Sequence, residues 1–311
     1  FPPVRNVRLP SPSEGRCVMA TSDVGTEGRS GRKLLLERLP VQEKQLDIGG
    51  MSTSVLEGGE GPPMLLLHGG IQAGGLVWWR ALPRLAESHR VIVPDLPGLG
   101  ESEIGTGRLD ADLVSGWLEE LIRATCRERP TLVAHSVPAA FGARFAIERS
   151  DRLRRLVLLD AGGLRRAGLP PAGLLLSAVR STSRPNERNF HRFMSRVMHD
   201  LDRVREEDDR WSAFTRYVLA RAALPSVKRT MRHAAKVGLR GAIPEGELAR
   251  IAVPVTLIWG RHDQLTPLRI GERLSDRLDW PLRVIERAGH LPHLEQPDAF
   301  VDALRAAMAA G

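Results

Sequence analysis

Cysteine is scarce in this sequence, with only Cys17 and Cys126 among 311 residues. Two cysteines cannot build a disulfide framework, and neither has further ligands at a zinc-like spacing. Two reduced thiols fit a reducing compartment. We therefore expect no disulfide scaffold and no metal site.

Long apolar runs are also missing. No stretch approaches the roughly 18–20 apolar residues that a membrane-spanning helix needs, and the N-terminus lacks the apolar core of a secretory signal. We therefore expect a cytoplasmic protein without a membrane partner. The sequence begins with Phe1, and we expect the natural chain to start at Met19.

Lysine and tyrosine are rare, with four lysines and one tyrosine. Arginine therefore carries most of the net charge of +8, and such an excess can indicate an acidic partner. No stacking aromatic residues accompany the arginines in a nucleic-acid-binding motif, so we expect no nucleic-acid partner. Apolar residues make up 42% of the chain, enough for a large core, which excludes wholesale disorder.

The chain alternates short apolar runs with helical patterns from residue 41 onward. Residues 1–40 are predicted to be a disordered extension, because residues 1–32 are rich in Pro, Ser, Gly and Arg without a sustained hydrophobic period. The predicted strands are a hairpin over Val41–Ile48 and Thr53–Leu56, then Met64–Leu67, Val91–Val93, Thr131–Ala134, Leu156–Leu159, Val255–Trp259 and Leu282–Ile285. The predicted helices between them are Trp78–Glu87, Asp110–Arg127, Ala139–Glu148, Leu268–Leu278 and Asp298–Ala309. Continuously apolar strands that alternate with helices predict an α/β fold with a mostly parallel, doubly wound sheet.

The alternation breaks once, after the sixth predicted strand, Leu156–Leu159, when both strands of the hairpin are counted. Residues 162–250 contain no strand pattern but at least three helical ones, near Ala172–Arg180, Glu187–Val204 and Trp211–Val237. We interpret them as a helical cap inserted into a core formed by residues 41–161 and 251–311. This insertion carries 16 Arg and 2 Lys against 9 acidic residues, which suggests that it attracts an anionic substrate.

A serine stands where a buried strand meets a helix, in Ala134-His135-Ser136-Val137-Pro138. A sharp strand-to-helix turn exposes the serine hydroxyl and directs backbone N–H groups toward developing negative charge. The segment resembles the nucleophile elbow of the α/β-hydrolases, although the usual Gly-x-Ser-x-Gly has Ala and Pro in place of its glycines. Pro suits the first turn of a helix, where its missing N–H has no intrahelical partner.

The segment His68-Gly69-Gly70, which follows another strand, resembles the oxyanion loop of the same family. The resemblance implies that the backbone N–H groups of Gly70 and Val137 form the oxyanion hole. It also implies that His68 braces this loop and is not the base. A turn resembling the family's Asp-x-x-Gly-x-Gly-x-Ser pattern begins at Asp95.

The acid and the base of a triad follow later in the chain. Asp263 comes shortly after a strand and resembles the family's triad acid, with Asp160 as the rival because some members place the acid there. His290 follows the last predicted strand and is the natural base, since the reference pKa of histidine is near neutrality. His293 is the alternative base. The order Ser136, Asp263, His290 is the one expected for this fold.

These motifs together predict a serine hydrolase that uses no cofactor. Trp78, Trp79 and His135 are the predicted substrate-binding residues. The expected reaction is cleavage of a small-molecule carboxylic ester, and the charge of the insertion suggests an anionic one. Two alternatives stay open: a carbon–carbon bond hydrolase of diketones, which the glycine-rich run after His68 partly fits, and a non-catalytic ligand-binding member, which Pro138 would favour. A serine at the elbow disfavours haloalkane dehalogenases and epoxide hydrolases, and the oligomeric state is left open.

Overall fold

The computed structural model of the chain describes residues 21–70, 72–105, 107–165, 170–240 and 242–309. Eight strands in this part of the chain form one sheet: β1 (Gln42–Ile48), β2 (Met51–Gly58), β3 (Pro63–Leu67), β4 (Arg90–Pro94), β5 (Thr131–His135), β6 (Arg155–Leu159), β7 (Val255–Gly260) and β8 (Leu282–Ile285). Their spatial order is β1-β2-β4-β3-β5-β6-β7-β8. The pairs β1–β2 and β2–β4 are antiparallel and all others are parallel. The predicted mostly parallel sheet and its starting hairpin are confirmed.

The central strands are mostly apolar because helices cover both faces of the sheet. Every residue of β3, β5, β6 and β7 is buried. Two large apolar clusters, one on each face, form the core.

The helices of the described residues surround this sheet. They are α1 (Thr21–Leu36), α2 (Leu82–Ala86), α3 (Ala111–Thr125), α4 (Pro138–Arg149), α5 (Ala172–Ser183), α6 (Glu187–Val197), α7 (Leu201–Glu207), α8 (Trp211–Ala223), α9 (Pro225–Arg240), α10 (Glu245–Leu248), α11 (Arg269–Leu278), α12 (Pro292–Glu295) and α13 (Pro297–Ala309). The helices α5 to α10 lie between β6 and β7, so the helical insertion after the sixth strand is confirmed. Its boundaries at residues 162 and 250 stay a prediction. Within the described ranges, no helix combines the length and the apolar character needed to cross a bilayer.

Three predicted helices differ from the observed ones. In place of the predicted Trp78–Glu87 helix, the structure has a 3₁₀ turn over Gly74–Trp78 and the short helix α2, whose first turn contains Pro83. The predicted helix Glu187–Val204 is divided into α6 and α7. Asp200 caps the start of α7 by accepting a hydrogen bond from Arg203 N at 3.0 Å. Pro225 separates α8 from α9, because proline cannot continue a helix.

The expected disorder of residues 1–40 is wrong for residues 21–36, which form α1; residues 1–20 lie outside the described residues. The glycines that argued against a helix bring α1 close to α8. A Cβ atom at Gly31 would lie 2.4 Å from the carbonyl oxygen of Ala213, and one at Gly28 would lie 2.3 Å from Ala220 Cβ. Tertiary packing therefore overrides the weak helix propensity of this segment.

Candidate active site

Ser136 occupies the sharp turn between β5 and α4. Its φ of +63° lies in the left-handed region, which costs a non-glycine residue about 1–2 kcal/mol. Two backbone hydrogen bonds hold the turn: Ser136 N donates to Leu159 O at 2.9 Å, and Gly162 N donates to Ser136 O at 3.0 Å. The strained serine is thus anchored to β6 and to the residues that follow it.

The two departures from the elbow pattern are accommodated locally. A Cβ atom at Gly142 on α4 would lie only 3.2 Å from Ala134 Cβ, so a glycine on the helix leaves room for alanine on the strand. Pro138 is the first residue of α4, where no intrahelical N–H is needed.

His290 connects Ser136 to Asp263 through a chain of hydrogen bonds. Its Nε2 lies 2.9 Å from Ser136 Oγ, and its Nδ1 lies 2.8 Å from Asp263 Oδ2. The carboxylate can only accept, so Nδ1 carries the hydrogen and Nε2 is the acceptor that faces the serine hydroxyl. All three side chains are buried. The structure therefore brings together the three residues that the sequence predicted as a triad.

Asp263, and not Asp160, is the carboxylate that contacts His290. Leu265 N and Thr266 N donate to Asp263 Oδ1 at 2.7 and 2.9 Å, and Thr266 Oγ1 donates to Oδ2 at 2.5 Å. These donors fix the orientation of the carboxylate toward the imidazole.

Asp160 is fully buried beside this group. Burial, and then the nearby charge of Asp263, raise the pKa of Asp160 well above its ordinary value, although Gly260 N donates to its Oδ1 at 2.8 Å. Burial and the neighbouring carboxylate of Asp263 therefore favour the protonated form of Asp160.

The loop after β3 lies against Ser136 and is braced by His68. Leu96 N donates to His68 Nε2 at 2.9 Å, so Nδ1 carries the hydrogen and donates to Gly69 O at 2.8 Å. Burial lowers the pKa of His68 to about 4, which keeps the ring neutral. Both ring nitrogens are thus engaged in holding the loop. Gly70, at its end, borders the same cavity as Val137 and Ser136.

His135, the residue before Ser136, packs directly against His290. Its Nε2–H donates to the carbonyl oxygen of His290 at 2.8 Å, and the two rings are 4.9 Å apart. A Cβ atom at Gly69 would lie 2.5 Å from His135 Nδ1, so only glycine fits there. Burial, followed by the neighbouring histidines, lowers the pKa of His135 well below its ordinary value.

A cavity of about 510 Å³ opens onto Ser136 and His290. The loops after β3, β5 and β6 form its floor, and helices of the insertion form its walls. Lining residues include Gly70, His135, Val137, Phe193, Met231 and Leu265. The cavity is mostly apolar and is large enough for a small or medium organic substrate.

The predicted substrate wall formed by Trp78 and Trp79 is wrong, because neither residue lines this cavity and both are 0% exposed. Trp78 stacks on His293 with ring centroids 4.3 Å apart. Trp79 lies under Arg210, whose guanidinium carbon is 4.5 Å from the ring centroid. The position of the two residues shortly after the His68-Gly69-Gly70 loop suggested a wall, but both side chains turn into the core.

Glu295 is a site residue that the sequence analysis missed. Its buried carboxylate accepts from Gly289 N at 2.8 Å, in the loop of His290, and from His199 N at 2.6 Å, in the insertion. A backbone bond from His290 N to Val197 O, at 2.7 Å, joins the same two segments. Burial raises the pKa of Glu295 to about 7 although several N–H groups lower it. An acidic residue five positions after the base was the only signal in the sequence.

Among the described side chains, one group has the spacing of metal ligands. It consists of Asp160, Asp263 and His290, whose ligand atoms lie within 4.8 Å of one another. Both oxygens of Asp263 already accept hydrogen bonds from protein donors, and His290 Nδ1 points at one of them. This donor set fits a hydrogen-bonded acid–base chain better than a cation.

Fold and site together define the class of this protein. Residues 64–303 match the model of the alpha/beta hydrolase family, and the chain belongs to that family.

The relatives include both dienoate hydrolases and ester hydrolases. A 2-hydroxy-6-oxo-6-phenylhexa-2,4-dienoate hydrolase of Comamonas testosteroni is 29% identical, covering 78% of this chain and 86% of the relative. A pimeloyl-[acyl-carrier protein] methyl ester esterase of Aeromonas hydrophila is 27% identical, covering 81% and 97%. The crystal structure of a carboxylesterase from Bacillus subtilis superposes with a TM-score of 0.79 at 18% identity, covering 93% of this chain and 99% of that one. The last likeness concerns the fold alone.

Proposed function

We propose that this chain is a serine hydrolase that cleaves carboxylic esters of small or medium acyl or aromatic substrates. The observation that carries the proposal is the chain of hydrogen bonds from Ser136 through His290 to Asp263, at 2.9 and 2.8 Å, at the floor of an apolar cavity. A nucleophile, a base and an orienting acid in this geometry are the parts that acyl transfer requires.

In the proposed mechanism, Ser136 Oγ attacks the ester carbonyl carbon while its proton moves to His290 Nε2. Asp263 holds the imidazole and stabilises the imidazolium that forms. The negative charge that develops on the carbonyl oxygen is stabilised by the N–H groups of Gly70 and Val137. His290 then protonates the departing alkoxide, which leaves an acyl-enzyme. A water molecule, deprotonated by His290, releases the carboxylic acid in the second half of the reaction.

The competing function is hydrolysis of a carbon–carbon bond in a diketone, supported by the Comamonas testosteroni relative. The same three residues could serve both reactions, so the triad does not distinguish them. We would measure kcat/KM for a short-chain p-nitrophenyl ester and for 2-hydroxy-6-oxo-6-phenylhexa-2,4-dienoate. A higher value for the ester supports the proposal, whereas cleavage of the diketone alone would replace it.

The charge at the cavity favours an anionic ester. Lys228 and Arg232 lie one turn apart on α9, both line the cavity, and neither forms an ion pair with a described acidic residue. Two like charges at this spacing are mutually unfavourable unless an anion neutralises them. We expect kcat/KM for an ester that carries a carboxylate to fall with added salt more steeply than for its neutral analogue. Identical salt dependence would remove this part of the proposal.

A further inference from the structure

The outward face of α5 is apolar. Leu175, Leu176 and Val179 are 41%, 50% and 55% exposed, whereas Leu174 and Ser177 on the opposite side are buried. Positions 175, 176 and 179 lie within about 100° of one another around a helix. Large apolar side chains clustered on one exposed face indicate an interaction surface more than isolated ones do.

The outward face of α6 is basic. Arg188, Arg192 and Arg196 follow one another at intervals of four residues, which places them in one stripe along the helix. The opposite face, with Phe190 and Met194, is buried. None of the three arginines forms an ion pair with an acidic side chain of the described residues. Their charge is therefore available to an anionic partner.

These two faces adjoin each other at the mouth of the active-site cavity. A Cβ atom at Gly173, in the first turn of α5, would lie 3.6 Å from Arg196 Nε at the end of the stripe. Leu175 and Val179 also line the cavity that contains Ser136. We call the six side chains the α5–α6 surface: Leu175, Leu176, Val179, Arg188, Arg192 and Arg196.

We propose that the α5–α6 surface docks on an anionic phospholipid surface and brings the cavity mouth to the lipid interface. An exposed apolar helix face beside a row of arginines is the combination that binds peripheral proteins to anionic bilayers, since the apolar side chains enter the interface and the cations meet the headgroups. The segment from residue 170 to residue 197 contains five arginines and a single acid, Glu187. This proposal replaces the sequence-based expectation that the chain has no membrane partner.

A second copy of the chain fits this surface less well. A two-fold symmetric contact through this surface would bring six arginines, three from each copy, into one interface. Like charges brought together in this way oppose association, whereas an anionic lipid surface neutralises them.

The test is flotation of the full chain with vesicles of phosphatidylcholine, with and without phosphatidylglycerol. We expect binding to the anionic vesicles that weakens with salt. Leu176→Ser should weaken it about tenfold, because a leucine side chain is lost from the interface. Arg188→Gln and Arg192→Gln should each weaken it about fivefold. Leu34→Ser is the matched control, since Leu34 is 38% exposed but lies on α1 outside this surface.

The same variants should keep the wild-type kcat/KM for a soluble short-chain ester, because Leu176, Arg188 and Arg192 do not line the cavity. Vesicle binding should persist in Ser136→Ala, which separates docking from catalysis. Three results would overturn the proposal. They are no binding of the wild type to anionic vesicles, binding that all three substitutions leave unchanged, and a concentration-dependent dimer that Leu176→Ser dissociates in place of vesicle binding.

Discussion

At the scale of single residues, the carboxyl groups of Asp160 and Asp263 lie close together and have different partners. Asp263 accepts from His290 and from three other donors. Asp160 has its pKa raised by burial and by the charge of Asp263. We expect Asp160→Asn to keep kcat within about threefold, since asparagine resembles a neutral carboxyl group. Asp263→Asn should lower kcat on the order of 10⁴-fold, because the orientation and charge of the imidazole partner are lost.

The protonation of Asp160 also has a consequence for stability. In the unfolded chain this side chain ionises near its ordinary pKa of 3.8, whereas in the folded protein it keeps its proton to much higher pH. The unfolded state therefore binds fewer protons, and the free energy of unfolding decreases as the pH rises above about 4. Asp160→Asn lacks this dependence. Its free energy of unfolding, measured with urea, should therefore rise relative to that of the wild type between about pH 4 and pH 7. A stability difference that does not change with pH would contradict the assignment.

The sequence predicted which of these residues come together better than it predicted what surrounds them. Ser136, Asp263 and His290 were found because each follows a strand of the parallel sheet, whose carboxyl ends meet at one edge. The burial of Trp78 and Trp79 could not be found in this way, since the direction of a side chain after a loop depends on packing with α8, α12 and α13.

At the scale of the elements, the loop that carries His290 is attached to the insertion. The buried Glu295 carboxylate joins Gly289 N to His199 N, and we infer that it positions His290 indirectly. We expect Glu295→Gln to lower kcat about tenfold with little change in KM. The amide must turn a donor toward one of these N–H groups and loses a charge-assisted hydrogen bond worth about 1.5–3 kcal/mol.

Glu207→Gln is the matched control for that variant. Glu207 also joins the insertion to the core, through Arg80 at 3.0 Å, but its side chain is 40% exposed and it accepts no hydrogen bond from the His290 loop itself. An exposed ion pair of this kind contributes little, so its variant should resemble the wild type. Equal kcat values for the wild type and Glu295→Gln would show that Glu295 does not position the base.

Element types were predictable where burial gives a simple pattern. Strands covered on both faces are mostly apolar, and β3 to β8 were found within about one residue at each end. The breaks before Asp200 and at Pro225 were missed because the helical pattern was read as continuous across each of them. The helix α1 was missed because its glycines match the surface of α8, which no local pattern shows.

At the scale of the whole molecule, α1 joins the insertion to the edge of the sheet. Arg32 donates to Tyr217 Oη on α8 at 3.0 Å and pairs with Glu43 on β1. Leu35, three residues later, is 0% exposed and belongs to one of the two core clusters. The described part of α1 is therefore integral to the folded core.

Adjacent leucines of α1 test this conclusion. Leu35→Ala should lower the free energy of unfolding by about 2–5 kcal/mol, as expected for a leucine removed from a packed core. Leu34→Ala should change it by less than about 0.5 kcal/mol, because Leu34 is 38% exposed. Urea unfolding of the two variants measures both values. Similar, small effects for both would mean that α1 does not pack on the core as described.

The overall architecture followed from the order of strands and helices, since that order restricts an α/β chain to few topologies. The α5–α6 surface could not be predicted from the sequence, because the leucines of α5 would allow either side of this helix to pack on the core. Which apolar side chains of α5 are exposed, and can therefore contact lipid, depends on which side of the helix the rest of the insertion covers.

The central claim is that Ser136 forms an acyl-enzyme, and a burst and turnover assay with a short-chain p-nitrophenyl ester tests it most directly. The wild type should show an initial burst followed by steady turnover, and Ser136→Ala should lose the burst and at least about 10³-fold in kcat. Equal rates in the two proteins would contradict the assignment of Ser136 as the nucleophile. No turnover in the wild type would contradict the ester hydrolase proposal and favour the diketone reaction or a non-catalytic role.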